Sequence, residues 1–499
     1  MTVKIGHFIE GKSVAGSTNT MGSVFNPATG AITAEVCYAS KVEVDHAVSA
    51  AKNAYPNWAE TSPVRRAHIL FKFRELLEKN SNELAALVTA EHGKVLADAM
   101  GSVQRGIELV EYACGIPALL KGSYSENVAN QVDCYTLRQP LGVCAGVSPF
   151  NFPVMVPLWM FVSAIACGNT FVLKPSEKDP SAPMLLAELF LQAGLPKGVL
   201  NIVNGDKIAV EALLQHPDIH TMTAVASTPV AKYIYQTAIA NGKRAHTFGG
   251  AKNHCIVMPD ADVKATAQAI QGAAYGSAGE RCMALSVVVA VGDATADALI
   301  TELKASVPEL KIGAGTEAGI EMGPLVSAAH LQKVLGYVDA GVTEGATLVV
   351  DGRDCKPKNN ANGYFMGGCL FDNVTPTMKI YREEIFGPVL CIVRVADFQS
   401  ALTLINENPY GNGTAIFTQD GETARAFAHE VQVGMVGINV PIPVPVAYHT
   451  FGGWKQSVFG DIHMHGDQSI QFYTKPKSVT SRWPKSETAA AQYTMPHNK

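Results

Sequence analysis

The strongest constraint on the fold is a strand–helix alternation in the first half of the chain. Three apolar runs rich in β-formers, "TFVLKP", "VLNIVNG" and "IHTMTAVAS", are each followed by a longer segment with helical apolar spacing, the last being "TPVAKYIYQTAIANG". Strands that alternate with helices in this way form βαβ units, whose crossovers make the strands parallel. The alternation therefore predicts an α/β fold built on a parallel sheet.

Helical spacing also dominates residues 41–120, and a second α/β region begins near Cys255. There "ATAQAIQGAAYGSAG" predicts a helix, "SVVVAVG" a strand and "ADALITELKASVPEL" another helix. A chain of 499 residues exceeds the size of one hydrophobic core. We therefore expect two or more domains.

Composition excludes several classes of partner. The chain has 39 Lys and Arg against 44 Asp and Glu, with no long basic run, so it offers no electrostatic basis for binding nucleic acid or a membrane surface. Its N-terminus lacks the apolar segment of a signal peptide. The most apolar run, "VMVPLWMFVSAIACG", is short and contains Pro157, which favours a buried helix over a membrane span.

The ten cysteines include no C-x-x-C pair, so no zinc framework is visible. Scattered cysteines are typical of reduced thiols in a reducing compartment, and we expect a cytoplasmic protein. His463 and His465 lie two residues apart without a third ligand nearby, which favours a structural role, and no metal site is predicted.

Cys282, in "GSAGERCMAL", is the candidate nucleophile. An unperturbed thiol has a pKa of about 8.5 and needs help to ionise at neutral pH. Arg281 adjoins it, and the small residues before it would let a substrate approach closely. A buried, unreactive thiol fits the same stretch equally well.

Two further stretches carry candidate polar groups. "VSPFNFPVMVP" places Asn151 in a Pro-rich loop, where its amide is suited to a developing oxyanion, although a turn-capping Asn is an alternative. "FVLKPSEKDP" places Lys174 and Glu177 at the carboxyl end of a predicted parallel strand, where α/β sheets bind ligands. Their alternative is a solvated loop.

Together, "SPFNFP", "GNTFVLKPSE", "FGGAKNH", "GERCMA" and "EEIFGPV" resemble the NAD(P)-dependent aldehyde dehydrogenase superfamily in order and spacing over nearly the whole chain. "TFGGWKQSVFGDIHMHG" and "RGIELVEYACGIPALLKG" narrow the resemblance to its CoA-acylating methylmalonate-semialdehyde and malonate-semialdehyde dehydrogenase branch.

The resemblance implies a fold of three parts and a homo-oligomer, either a dimer or a tetramer. A variant Rossmann NAD-binding domain would comprise residues 1–122 and 144–254, with 451–473 returning to it. An α/β catalytic domain would comprise 255–450. A β oligomerisation hairpin would comprise 123–143 together with 474–495.

The resemblance also implies roles for individual residues. Cys282 would be the nucleophile, and Asn151 with the Cys282 backbone N–H would form the oxyanion hole. Arg105 and Arg281 would bind the substrate carboxylate as guanidinium forks. The NAD contacts would be Ser148, Phe150, Lys174, Glu177, Lys178, Ser227, Gly249, Glu384 and Phe386. Glu177 would favour NAD over NADP, because a carboxylate repels a 2′-phosphate.

The chain departs from the superfamily pattern at three positions. Ala226 replaces the first residue of the usual "GST", and Glu280 stands where Gln is common; we expect the Glu280 carboxylate to face away from Cys282. Hydrolytic members carry a Glu where this chain has Thr247, and threonine cannot take a proton at neutral pH. His246 could substitute as a base, but a partly exposed strand-end histidine is the favoured interpretation.

These observations predict an NAD-dependent dehydrogenase that converts (methyl)malonate semialdehyde into acetyl-CoA or propionyl-CoA through a Cys282 thioester, with coenzyme A as co-substrate. The first alternative is a hydrolytic aldehyde dehydrogenase that releases a free acid, which Thr247 disfavours. A cysteine hydrolase would leave Lys174 and Glu177 unexplained. A non-catalytic relative would be expected to lack Cys282 or Asn151.

Overall fold

The computed structural model describes residues 3–357 and 359–483. Residues 484–495 of the predicted oligomerisation segment lie outside the described residues. The strands are β1 (Val3–Ile5), β2 (His7–Ile9), β3 (Lys12–Val14), β4 (Met21–Asn26), β5 (Ala31–Cys37), β6 (Tyr124–Ala129), β7 (Val132–Pro140), β8 (Val143–Val147), β9 (Thr170–Lys174), β10 (Leu200–Ile202), β11 (Ile219–Val225), β12 (Arg244–Phe248), β13 (Asn253–Val257), β14 (Leu285–Val291), β15 (Thr347–Val350), β16 (Cys369–Asp372), β17 (Val389–Val395), β18 (Tyr410–Gly411), β19 (Gly413–Phe417), β20 (Met435–Ile438), β21 (Trp454–Lys455), β22 (Val458–Phe459) and β23 (Thr474–Arg482). The helices are α1 (Lys41–Glu60), α2 (Pro63–Lys79), α3 (Ser81–His92), α4 (Leu96–Cys114), α5 (Ile116–Leu119), α6 (Met155–Ala166), α7 (Ser181–Gln192), α8 (Lys207–Gln215), α9 (Thr228–Ala240), α10 (Val263–Tyr275), α11 (Asp293–Ser306), α12 (Ala328–Thr343), α13 (Lys379–Arg382), α14 (Phe398–Glu407), α15 (Gly421–Glu430) and α16 (Gly466–Phe472), with 3₁₀ turns at Gly276–Gly279 and Val307–Glu309.

The predicted βαβ region forms an eight-stranded sheet in the order β22-β12-β11-β8-β9-β10-β2-β3. Its five central strands, from β12 to β10, are parallel, and antiparallel strands lie at both edges. Strands β8, β9 and β10 are buried along their whole length, as expected where helices cover both faces of a parallel sheet. The predicted parallel sheet is confirmed.

A second sheet of seven strands follows, in the order β15-β16-β17-β14-β13-β19-β20. All its pairs are parallel except that of β15 with β16. The four residues 249–252 connect the last central strand of the first sheet to the first strand of the second. This short connection brings the ends of β12 and β13 close together.

Three smaller sheets complete the fold, one of which is the two-stranded antiparallel pair of β18 and β21. Strands β6, β7 and β23 form an antiparallel sheet in which β23 pairs with β7 along nine residues. Strand β22 returns the chain to the edge of the first sheet. Strands β1, β5 and β4 form a separate sheet near the N-terminus, for which the sequence analysis made no prediction. The residue bounds of the three predicted domains stay a prediction.

Helix α6 corresponds to the most apolar run of the sequence, and every one of its residues is buried. It lies in the larger hydrophobic core with side chains from α2, α3, α4 and α7, as the sequence analysis expected for a buried helix. Among the described residues, no helix combines the length and apolar character that crossing a bilayer requires.

Candidate active site

Cys282 follows a strained turn at the entrance to β14. In the Gly276–Gly279 turn, Ser277 and Ala278 have φ values of 55° and 52°, which residues other than glycine rarely adopt. Gly279 also has positive φ, and a side chain there would collide with the Gly387 carbonyl. Such strain is found where the surrounding structure fixes the backbone, often at functional sites.

The backbone of Cys282 is held from the second sheet. The side-chain amides of Asn253 and Asn412 both donate to the Cys282 carbonyl oxygen, each at 2.9 Å. Asn253 begins β13, and Asn412 lies between β18 and β19. The two amides therefore fix the nucleophile to neighbouring parallel strands.

The Cys282 thiol lines a pocket with Glu384, Phe386 and Arg281. Burial raises the pKa of the thiol, and the nearby Glu384 carboxylate raises it further, to about 11. The N–H groups of Cys282 and Met283 and the Lys94 ammonium act in the opposite direction. Burial therefore disfavours the Cys282 thiolate, and these three groups offset part of that cost.

Asn151 is buried next to this centre. Two hydrogen bonds hold it, one from its side-chain amide and one to its backbone carbonyl oxygen. Its Nδ2 donates to the Glu280 carbonyl oxygen at 3.1 Å, and the Lys94 Nζ donates to the Asn151 carbonyl at 2.7 Å. An asparagine amide has two N–H donors, so the bond to Glu280 leaves a second N–H for a ligand. The predicted neighbourhood of Asn151 and Cys282 is present.

The two predicted carboxylate-binding arginines have different surroundings. Arg281 donates to Asp98 at 2.8 Å, and Asp98 also lies 3.9 Å from the Lys94 ammonium. Arg105 lies seven residues beyond Asp98 on α4, roughly 10 Å further along the helix axis, and pairs with Glu108 at 2.8 Å. Both guanidinium groups therefore already pair with a carboxylate of the protein.

Lys174 and Glu177 lie at the carboxyl end of β9, as predicted. Their side chains are 3.2 Å apart and line a cleft of about 540 Å³ with Pro229 and Val230. Burial raises the Glu177 pKa, but the Lys174 ammonium, the Glu177 backbone N–H and the Lys178 ammonium together outweigh it, and the net shift is downward. Glu177 is therefore an anion at neutral pH.

Ser227 precedes the first residue of α9, so the N-terminus of that helix opens on the same cleft. The side chain of Ser227 makes no capping bond to its own helix. Unpaired N–H groups at a helix N-terminus favour anions such as phosphate. The cleft thus offers groups for sugar hydroxyls and for a phosphate.

In the 249–252 connection, the two glycines Gly249 and Gly250 leave no room for a Cβ atom. A Cβ at Gly249 would lie 2.8 Å from the Gln456 carbonyl oxygen, and one at Gly250 would meet the Glu384 carboxylate. Glu384 accepts a hydrogen bond from the Ala251 N–H at 2.9 Å. The connection is therefore packed tightly against Gln456 and the Glu384 carboxylate, and only glycine fits at these two positions.

Phe386, which lines the Cys282 pocket, packs against Phe150, and an unpaired hydroxyl lies two residues before Phe150. The rings of Phe150 and Phe386 are 5.8 Å apart, and the Lys178 ammonium lies 4.5 Å from the centre of the Phe150 ring. Ser148 is buried, and its Oγ makes no hydrogen bond within the described part of the chain. Such an orphaned hydroxyl is available to a bound ligand.

Thr247 cannot serve as a base in this arrangement. Its side chain is fully buried, and its hydroxyl donates to the Ala231 carbonyl of α9 at 2.9 Å. The expectation that His246 is partly exposed is wrong: its ring is completely buried between Phe248 and Phe472. Burial lowers the His246 pKa to about 3, because its apolar surroundings disfavour the charged ring.

The Glu280 side chain is buried and directed toward Val326, whose N–H donates to its Oε1 at 3.1 Å. This agrees with the expectation that the carboxylate is not turned toward Cys282. Among residues 3–357 and 359–483, no group of three or more His, Cys, Asp or Glu side chains is arranged to hold a metal ion.

Sequence reasoning missed four residues of this centre: Lys94, Asp98, Asn253 and Asn412. Lys94 and Asp98 carry a weak signal, since opposite charges four residues apart can pair. Asn253 and Asn412 are polar residues at or next to the starts of buried strands. That signal is recognisable only once the structure is known.

The sequence profile described as the aldehyde dehydrogenase family matches residues 14–479. A malonate-semialdehyde dehydrogenase of Pseudomonas aeruginosa is 55% identical over 491 residues, which cover 98% of this chain and 99% of that protein. The crystal structure of a methylmalonate-semialdehyde dehydrogenase from Oceanimonas doudoroffii has a TM-score of 0.96 and 56% identity, covering 97% of this chain and 99% of that one. An NAD⁺ complex of an aldehyde dehydrogenase from Bacillus cereus has a TM-score of 0.91 and 32% identity, covering 96% of each chain.

Proposed function

The chain belongs to the aldehyde dehydrogenase family, and from this premise we propose that it oxidises malonate or methylmalonate semialdehyde with NAD and transfers the acyl group to coenzyme A. The names of the relatives at 55% and 56% identity support the substrate class. The observation that carries the CoA dependence is Thr247, whose hydroxyl is occupied by the Ala231 carbonyl and cannot activate water.

The first step forms a hemithioacetal. The Cys282 thiol loses its proton to solvent, the resulting thiolate adds to the aldehyde carbon, and the carbonyl electron pair moves to oxygen. The free N–H of the Asn151 amide and the Cys282 backbone N–H are the donors for this oxyanion. Because Lys94 and the Glu280 carbonyl hold Asn151 in place, its amide needs no rearrangement to do so.

The groups of the cleft suit NAD. Lys174 and Glu177 would hold the adenosine ribose, the α9 N-terminus behind Ser227 the pyrophosphate, and Glu384 the second ribose, with Gly249 in the connection beside Glu384. When bound, NAD accepts the hydride from the hemithioacetal carbon. The carbonyl then re-forms as a thioester on Cys282.

The thioester of a malonyl or methylmalonyl group carries a carboxylate β to its carbonyl. The bond between the carboxylate and the α-carbon breaks, carbon dioxide leaves, and the electron pair is held as an enolate that takes a proton from solvent. Arg105 and Arg281 would orient the carboxylate before it is lost. Arg281 would exchange part of its contact with Asp98 for the substrate.

Coenzyme A completes the cycle. Its thiolate attacks the thioester carbonyl, Cys282 leaves as a thiolate, and acetyl-CoA or propionyl-CoA is released. A thiolate is a strong enough nucleophile that no protein base is required at this step. The hydrolytic alternative needs a base for water, and the nearest substitute, His246, is enclosed by aromatic rings.

The test is steady-state NADH formation with each semialdehyde, with and without coenzyme A, and with identification of the thioester product. We expect sustained turnover only with coenzyme A, and a single burst of at most one NADH per subunit without it. Full turnover without coenzyme A and a free acid product would establish the hydrolytic alternative. Cys282→Ala should abolish both burst and turnover.

We further propose a cytoplasmic homo-oligomer. All ten cysteines are free thiols, which suits a reducing compartment. The sheet of β6, β7 and β23 exposes apolar side chains, including Tyr124 and Leu137, which supports a subunit contact there.

A further inference from the structure

The residue before the Arg281–Cys282 pair carries a carboxyl group without access to solvent. Glu280 is 0% exposed. Val326 donates to its Oε1, whereas its Oε2 makes no hydrogen bond to any residue that the structure describes. An ionised carboxylate in such a place is costly unless a cation pairs with it.

Two histidines from different helices face this carboxyl, and neither supplies that cation. The Nε2 of His92, at the end of α3, lies 3.8 Å from Glu280 Oε2, and the Nε2 of His330, in α12, lies 3.6 Å from Oε1. The His330 Nε2 is also 2.7 Å from the Phe386 carbonyl oxygen, which can only accept. Burial lowers the pKa of His330 to about 4 and that of His92 well below its usual value.

The cations in the surroundings have other partners. Lys94 donates to Asn151, Lys178 lies over the Phe150 ring, and Arg281 pairs with Asp98. Lys178 and Lys94 still favour the anion, as does the Val326 N–H, but burial dominates and raises the Glu280 pKa to about 8. Its protonation therefore changes close to neutral pH.

Glu280 is also part of the backbone that builds the reacting centre. Its carbonyl oxygen accepts the Asn151 amide. The Cα atoms of Glu280 and Cys282 are separated by at most roughly 7 Å, because two residues of chain join them, and a charge in a buried site is weakly screened over such separations.

Within the proposed function, on which this step rests, we infer that Glu280 is held as a neutral carboxylic acid between His92 and His330, and that its ionisation opposes the Cys282 thiolate and the adjacent oxyanion. At pH values below the pKa of Glu280, its side chain is uncharged and does not oppose a negative charge on Cys282. Above that pKa, a buried anion two residues away disfavours every negative charge that the reaction develops.

The test compares Cys282 alkylation by iodoacetamide in wild type and Glu280→Gln, followed by mass spectrometry of the Cys282 peptide from pH 6.5 to 9.5. Glutamine keeps an oxygen that can accept the Val326 N–H but cannot ionise. We expect equal rates at pH 6.5, and a variant rate that rises to about fivefold above wild type by pH 9.5. Glu83→Gln, which removes an exposed carboxylate on α3, should match wild type throughout.

A rate ratio that stays constant across this pH range would overturn the inference, because a purely structural effect of the variant does not follow the titration of Glu280. If the variant does not fold, the wild-type profile decides: the logarithm of its rate must flatten between pH 7.5 and 9, and a straight line of unit slope would exclude the inference. Alkylation needs no substrate, so a failure of the semialdehyde assay alone would count against the proposed function and not against this step.

Discussion

Lys94 is the buried charge on which the position of Asn151 depends. Its side chain is 0% exposed, its Nζ donates to the Asn151 carbonyl at 2.7 Å, and it lies 4.2 Å from the centre of the Phe152 ring. Burial lowers its pKa, while Asp98 acts to raise it. Burying the Lys94 ammonium is unfavourable in itself. Its contacts hold Asn151, the proposed oxyanion donor, in place.

Lys94→Met should therefore impair chemistry more than substrate binding. Methionine fills the volume of the stem but leaves the Asn151 carbonyl without its donor, so the amide loses alignment. We expect kcat to fall about 10- to 100-fold, below the loss on deleting an oxyanion donor outright, with KM within about threefold. Steady-state NADH kinetics with saturating coenzyme A measure both.

Lys79→Met, on the exposed surface of α2, is the matched control and should leave both constants unchanged. If Lys94→Met changed KM alone, Lys94 would contribute to substrate binding and not to the alignment of Asn151.

At the scale of residues, the sequence could predict those functional residues that stand in a distinctive local stretch of sequence. Cys282 and Asn151 stand in distinctive stretches of small, aromatic and proline residues, and Thr247 is notable as the absence of a carboxylate. The supporting groups are different: Asn412 reaches the Cys282 carbonyl across 130 positions of chain, and Lys94 reaches Asn151 across 57. No local pattern contains such pairings, and the burial of His246 likewise depends on Phe472, which is distant in sequence.

At the scale of elements, strands with long apolar runs and helices with a clear apolar stripe were predictable, as β9, α7 and α9 show. The five strands before Lys41 were not predictable. Four of them have three to six residues, and three lie mostly at exposed edges, so their pairing partners rather than their own sequence decide their conformation.

Helix α1 begins with a capping box that also holds the N-terminal strands. Glu43 accepts the backbone N–H of Ser40 at 2.8 Å and that of Ser17 at 2.6 Å. Burial raises its pKa, but the hydrogen bonds from Ser17 and Ser40 outweigh it, and the pKa is lowered to about 2. A carboxyl whose pKa is depressed by folding stabilises the folded state above its unfolded pKa, and this stabilisation is lost as pH falls toward 2.

Glu43→Gln should therefore lower the thermal midpoint at pH 7, with a loss of about 2 kcal/mol in unfolding free energy, and the difference from wild type should shrink by roughly 1 kcal/mol at pH 3.5. Scanning fluorimetry of both proteins at the two pH values measures it. A difference that is the same at both pH values would show that packing, and not the charge of Glu43, stabilises this helix end.

At the scale of the whole molecule, the fold places the proposed nucleotide cleft and the Cys282 centre on different sheets. The cleft of Lys174 and Glu177 lies at the end of the first sheet, whereas Cys282 is held by β13 and by the residue before β19 in the second. The 249–252 connection joins them, and the N–H of its Ala251 donates to the Glu384 carboxylate. The order of motifs along the chain predicted both halves, but only the structure shows that a four-residue connection brings them together.

The sheet of β6, β7 and β23 exposes apolar side chains that no described part of the subunit covers. Tyr124 is 63% exposed and Leu137 42% exposed, although both lie in paired strands. Apolar side chains grouped on a small sheet usually mark a contact with another chain. The described residues thus favour a subunit interface at the hairpin predicted from the sequence.

Replacing both side chains, as Tyr124→Asp with Leu137→Asp, should reduce the oligomer to a smaller species, because two charges would be buried without partners in the contact. Light scattering coupled to size-exclusion chromatography gives the mass. Val342→Asp, which changes an equally exposed apolar residue on α12, should keep the wild-type mass. An unchanged mass for the double variant would place the subunit contact elsewhere, whereas a smaller particle that still shows CoA-dependent NADH formation would establish that each subunit contains a complete active site.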